Sequence, residues 1–357
     1  MHTRIARSGL VLAACALSGC AQDPTQAQPA GPDAALAATT AVGASLHSGP
    51  ENDYQPSLFR LNDGRLMTVF ERLAPRTNSG DLYVSTSSDN GVSWSAPALI
   101  VGTRSSERHP SVVQLPSGAF ALFYLVVDSK GAYTIQRATS ADGRTWTARG
   151  AVSLGWGTAG DMNPSVIVEA DGSLTMTYQR HNGTTYVGYL ARSLDGGATW
   201  DGRRTTVTGG GQGMLPRIAR RAADGLYMAT YQAAGADGKL AIFAKTSADP
   251  YAWPAQAAVI STVTDSHDSQ PIVLEDGRFL LMYIGLGSDA GYNLYYRTTD
   301  GAVWTAPVKV TTDLDLHDVE PHPVLHGTPG RVVLAWGRQR APSSDFDIWV
   351  NPALDIQ

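Results

Sequence analysis

Cysteine is almost absent: the 357 residues contain two, Cys15 and Cys20, both near the N-terminus. The rest of the chain therefore has neither disulfides nor thiolate metal sites to hold it together. Charged residues make up 17%, and the formal net charge of −5 includes no long basic run, which argues against a nucleic-acid partner. No apolar run is long enough to cross a bilayer, and sustained helical periodicity is missing throughout. What is present is turn chemistry, with 37 Gly and 20 Pro. Short alternating runs of Val, Tyr, Thr and Leu are separated by "NDG", "ADG" and "EDG". An all-β chain follows, with its core between packed sheets.

The N-terminus has its own grammar. Arg4 and Arg7 precede the short apolar run "GLVLAACAL" at Gly9 to Leu17, the pattern of a secretory signal. It ends in "LSGC", Leu17 to Cys20, which resembles the lipobox of bacterial lipoproteins. That resemblance implies cleavage after residue 19, acylation of Cys20 and, with Ala21 next, sorting to the outer membrane or cell surface. An ordinary signal peptide is the alternative. Residues 20–38, rich in Ala, Gln and Pro, read as a flexible tether. The folded domain is then 39–357, touching the membrane only through its lipid anchor.

Within 39–357 two landmarks repeat. Tryptophans recur at Trp94, Trp146, Trp200, Trp253 and Trp304, and strand-opening prolines at Pro56, Pro110, Pro164, Pro216, Pro271 and Pro321. The spacing is 50–55 residues, with room for four short strands per unit. An aromatic column, Phe70, Tyr124, Tyr178, Tyr231, Tyr283 and Trp336, keeps the same period. Four strands per repeat of this length predict a six-bladed β-propeller with four-stranded antiparallel blades. The sixth repeat ends after its third strand, so Thr39–Leu46 is expected to supply the missing outer strand and close the ring.

Each tryptophan ends a box such as "SSDNGVSW" (87–94) or "SLDGGATW" (193–200), with three shortened copies. An acid needed five times at equivalent positions around a ring holds turns rather than doing chemistry. These boxes resemble the Asp-box repeats of the sialidase-like six-bladed propellers, over the whole of 39–357. The resemblance implies a glycan or polysaccharide substrate bound over the central channel, no cofactor or metal, and boxes on the rim away from the site.

The residues just before each proline are therefore the ones to inspect. Three places before it stand Asp53, Glu107, Asp161, Gly213, Asp268 and Asp318; one place before it stand Gln55, His109, Asn163, Leu215, Gln270 and Glu320. Strand alternation puts both columns on one side. Either the acids bond a neighbouring blade's backbone and close the ring, or several converge to cleave a glycosidic bond as acid and base or nucleophile. Asp53, Glu71, Asp161, Asp268, Asp318 and Glu320 are the catalytic candidates. Tyr54, Arg108, His109, Arg180, His267, His317 and Arg338 are candidates for binding substrate. Where sialidases carry an arginine in the first blade this chain has Tyr54, and no tyrosine lies around Val319 and Glu320, where their nucleophile would fall. The expected function is a surface-anchored, monomeric glycoside hydrolase of uncertain sugar. A non-catalytic glycan-binding propeller, or a lyase using Tyr54 and a histidine, are the alternatives.

Overall fold

The computed structural model describes residues 43–47, 49–74, 79–312, 315–341 and 345–357; Cys20 and the tether lie outside them. Six four-stranded antiparallel sheets follow one another, at 52–101, 106–151, 161–206, 214–259, 266–309 and 318–355. In the first five, chain order is also spatial order from inner to outer strand. The inner strand of blade 1, Asn52–Arg60, touches the inner strands of both blade 2 and blade 6, which closes the ring. Among the described residues there is no helix. The fold is a six-bladed β-propeller.

The sixth blade is completed as its truncated repeat requires. Ala44–Ser45 pairs with the blade's third strand, Phe346–Asp355, matching Ala44 to Val350 and Ser45 to Trp349. The Leu46 N–H extends the ladder to the Ile348 carbonyl at 2.7 Å. The two ends of the domain are thus held in one sheet.

The core lies between blades. The aromatic column is buried in every blade, from 0% exposed at Phe70, Tyr178, Tyr283 and Trp336 to 6% at Tyr231. Burying one such side chain stabilises the fold by about 1.5–3 kcal/mol before the entropy of ordering is counted. Box tryptophans seal the same interfaces nearer the rim: Trp94 packs on the blade 6–1 cluster, Trp146 on 1–2 and Trp200 on 2–3.

The quoted boxes show how the turn is held. Asp195 accepts hydrogen bonds from the Thr199 N–H at 2.9 Å and the Ser193 hydroxyl at 2.8 Å. Ser193 Oγ in turn accepts the Gly197 N–H at 2.8 Å, and the Trp200 indole donates to the Gly197 carbonyl at 3.2 Å. Gly197 has φ +86°, and a Cβ there would stand 2.3 Å from the Phe123 ring. Only glycine fits.

Candidate active site

Every inner strand carries a β-bulge at the same depth. The register slips between Tyr54 and Ser57, Arg108 and Ser111, Met162 and Ser165, Met214 and Arg217, His267 and Gln270, and Val319 and His322. The first bulge residue is left-handed in each: Gln55, His109, Asn163, Leu215, Asp268 and Glu320, with φ between +48° and +56°. Six non-glycine residues in this conformation cost about 1–3 kcal/mol each and persist only where their surroundings hold them. In five blades the second bulge residue is proline, which has no N–H to lose from the ladder.

Blade 5 corrects the sequence alignment. Ser269, not Pro271, fills its second bulge position, so Asp268 belongs with Gln55 and Glu320 rather than with Asp53. Ser266 takes the place in blade 5 that Asp53 holds in blade 1, and Gln270 moves one step beyond the bulge. The alternation argument fails for the same reason. A bulge inserts a residue and re-aims the side chains on either side of it, so the two columns do not share a face.

Three acids of the column three places before the proline are tied within their own blades. Asp53 is paired across the sheet with Arg72, in a two-pronged bond of 2.7 and 2.9 Å. Asp161 stands opposite Arg180 and accepts a hydrogen bond from its Nη1–H at 2.8 Å. Asp318 stands opposite Arg338 and accepts the Trp336 indole N–H at 2.7 Å; burial pushes its carboxyl up to about 6. Glu107, the fourth, holds the Thr103 hydroxyl at 2.5 Å. The structure does not bring these acids together. Arg180 and Arg338 are their partners, the latter 3.8 Å from Asp318 and stacked over Trp349.

Glu71 has a different task. It occupies the second-strand place opposite Tyr54 that Gln179 and Gln232 occupy opposite Met162 and Met214. Gln179 Oε1 accepts the Leu215 N–H at 2.6 Å and Gln232 Oε1 the Asp268 N–H at 2.9 Å, each reaching the next blade's bulge. Glu71 faces blade 2 in the same way, 3.7 Å from Arg108. Burial lifts its carboxyl to about 7, against the pull of Arg108 and a His109 backbone bond.

The bulges themselves line one pocket on the channel axis. Asp268 and Glu320 enter it from adjacent blades, with Arg217, His109, His322 and Gln55 around them. Burial and the neighbouring Asp268 charge raise Glu320 to about 8, although the Gln55 N–H bonds its Oε2 at 2.6 Å. Burial raises Asp268 too, opposed by His267 and Arg217. Two carboxyls that repel each other in a confined site hold one proton between them. Arg217 faces both carboxyls and favours the ionised form of each. Burial, aided by the Arg217 and Arg108 charges, holds His109 well below the usual imidazole range.

Of the other binding candidates, Tyr54 packs at a tilt against Phe346 with centroids 4.8 Å apart, and burial pushes its phenol up to about 12. His267 bonds Asp265 at 3.1 Å, and His317 accepts the Tyr292 N–H at 3.2 Å. Both imidazoles flank the ring of Tyr292, whose hydroxyl donates to Asp265 at 2.7 Å. They support the strand entrances beside the two acids.

Comparison with known proteins agrees with this architecture. The description of the BNR repeat-like domain matches residues 56–209 and 101–283. The chain belongs to that family. No curated protein matches it in sequence. Among solved structures it is similar to a protein of unknown function from Dyadobacter fermentans, at 16% identity and TM-score 0.69, covering 88% of this chain and 98% of that one. It is similar to a Penicillium chrysogenum alpha-L-arabinanase complexed with arabinobiose, at 17% and 0.66, covering 88% and 97%. A Hadza microbial sialidase follows, at 15% and 0.63, covering 88% and 68%. At these identities the likeness is one of fold.

Within this BNR repeat-like propeller two pocket residues escaped the sequence reading, Arg217 and His322. A signal existed. The residue after the second bulge position reads Ser57, Ser111, Ser165, Arg217, Gln270 and His322, so a serine repeat breaks on blades 4 to 6. The serines leave the channel open, and further along the inner strands it holds a cavity of about 250 Å³ lined by all three. Chemically, the pocket offers a protonated carboxyl, an ionised carboxyl and a fixed cation.

Proposed function

We propose that this protein is a glycoside hydrolase in which Glu320 is the general acid and Asp268 the base or nucleophile. The observation that carries the reading is the convergence of these two carboxyls, from neighbouring left-handed bulges, on one pocket with Arg217. Glycosidic cleavage needs one carboxyl that keeps its proton near neutral pH and one that does not. The Gln55 N–H occupies Glu320 Oε2 and leaves Oε1 to carry the proton toward a leaving group. Likeness of fold to an arabinanase and a sialidase supports a glycan substrate.

The test is product formation on a panel of arabino-oligosaccharides, sialosides and aryl glycosides, with Glu320→Gln and Asp268→Asn as controls. Turnover of a panel member that both substitutions abolish is expected. Turnover retained in either variant would remove that residue from the mechanism. The same Glu320–Gln55 bond also suits a non-catalytic glycan-binding ring, and binding without turnover would select that reading. We further propose that acylated Cys20 anchors the propeller to the outer membrane. Cys20→Ala should move the protein from the membrane to the soluble fraction, and a wild-type protein that takes up no lipid label would end that proposal.

A further inference from the structure

The pocket's two imidazoles have fixed and opposite hydrogen-bonding roles. Gln55 Oε1 accepts the His109 backbone N–H at 2.9 Å, which orients the Gln55 amide unambiguously, because a backbone N–H can only donate. Its NH2 then donates to His109 Nε2 at 3.0 Å. The proton of the neutral His109 ring must therefore sit on Nδ1. His322 is set by the same logic. Its Nδ1 lies 2.8 Å from the Pro56 carbonyl, which can only accept, so Nδ1 carries the proton and Nε2 is bare. One ring offers the pocket a donor and the other an acceptor.

Charge completes the description. Arg217 is the pocket's cation, and the only hydrogen bond of its guanidinium among the described residues is a long one, 3.4 Å, to the Pro216 carbonyl. The Asp268–Glu320 pair carries one negative charge while it shares a proton, and both imidazoles are neutral, His322 being held at about 4 by burial. The sum over the pocket is zero. A carboxylate brought to Arg217 would meet the two acids already there, with no second guanidinium among the lining residues to offset them. Hydroxyl groups, which donate and accept, match every feature.

We propose that the pocket is specific for a neutral glycone, whose hydroxyls are read by His109 Nδ1–H as donor, His322 Nε2 as acceptor and the Arg217 guanidinium. This rests on the hydrolase reading only for the word glycone; the tautomers and the charge balance stand without it.

The binding test uses Glu320→Gln protein, so that no substrate is consumed, and isothermal titration with arabinobiose, lactose, 3′-sialyllactose and digalacturonate. A neutral disaccharide should bind at least ten-fold more tightly than either acidic one. His109→Phe and His322→Phe should each weaken that binding by ten-fold or more. Because His322→Phe also removes a bond to Pro56 and could fail to fold, ¹⁵N spectra of the wild-type imidazoles provide a second measurement. Both rings should show Nδ1–H tautomers across pH 6–8. Tighter binding of sialyllactose or digalacturonate, an Nε2–H tautomer at either ring, or no binding of any sugar would overturn the proposal. Wild-type hydrolysis of a sialoside would overturn it while leaving the hydrolase reading intact. Neutral-sugar binding without turnover of any glycan would do the reverse.

Discussion

Aspartates on the rim and acids at the channel mouth are the same chemical groups in opposite circumstances. On the rim, Asp89, Asp142 and Asp195 are held down at about 2, because each accepts hydrogen bonds from its own turn while facing water. At the mouth, Glu320 is pushed up to about 8 and Glu71 to about 7 by burial. The rim repeats one solution around the ring; the bulge column places a different residue in every blade. Repetition marks what every blade needs in order to fold. Irregularity at an equivalent position is where a function of the whole ring can reside, and the proposed acid and base, Glu320 and Asp268, occupy such positions.

The sharpest way to test that contrast is a substitution that moves function without moving stability. Glu320→Gln keeps an acceptor for the Gln55 N–H and removes only the transferable proton. Turnover should fall by about 10²–10⁴-fold, with the melting temperature unchanged or higher. A variant that melts earlier yet turns over normally would place Glu320 with the rim acids, as scaffold.

Arg72→Met should do the opposite. Asp53 and Arg72 are 3% and 11% exposed, and removing one partner leaves a buried carboxylate uncompensated. A loss of about 3–5 kcal/mol is expected, with specific activity in the folded fraction preserved. Denaturant titration beside a rate measurement separates the two. Lost activity at full stability would return Asp53 to the catalytic candidates.

pH should divide the regions by sign. Glu320 binds its proton more tightly folded than unfolded, so its contribution to stability is complete below about pH 4.5 and is lost as pH rises through about 8. Asp195 is depressed when folded, so its contribution is present above about pH 3.8 and is lost as pH falls through about 2. Melting curves of wild type and Glu320→Gln from pH 5 to 9 should therefore converge at acid pH and part on the alkaline side, the variant losing less. Parallel curves would mean that Glu320 is already ionised at neutral pH. The rate of a wild-type enzyme should fall along the same alkaline limb.

How much of this was legible beforehand follows from the same contrast. Periodic features could be read directly: six blades, the box turns, and the closing strand expected at Thr39–Leu46, of which Ala44–Ser45 pair with blade 6 while residues 39–42 lie outside the described residues. The site was read only in part, because proline served as the ruler. A ruler that slips by two residues in blade 5 assigns Asp268 to the wrong column, and a left-handed bulge re-aims side chains that alternation would place on one face. Asp268 and Glu320 were among the candidates, but so were Asp53, Asp161 and Asp318, which sequence could not distinguish because their arginine partners lie across a strand pairing. Arg217 and His322 were visible only as a broken serine column.

The smallest effect expected belongs to a rim box. Asp195→Ala removes the acceptor for the Thr199 N–H, the Thr199 hydroxyl and the Ser193 hydroxyl. All are near water, which replaces part of what is lost, so the cost is about 1 kcal/mol. Ser193 Oγ still accepts the Gly197 N–H, and the Trp200 indole keeps its carbonyl, so the turn should loosen without opening. Activity of the folded protein should be unchanged, since the box lies at the opposite end of its strand from the bulges. The double variant with Glu320→Gln gives the decisive number. Sites this far apart should be additive to within about 0.3–0.5 kcal/mol in stability, and a larger coupling would mean that rim and mouth are not separate regions.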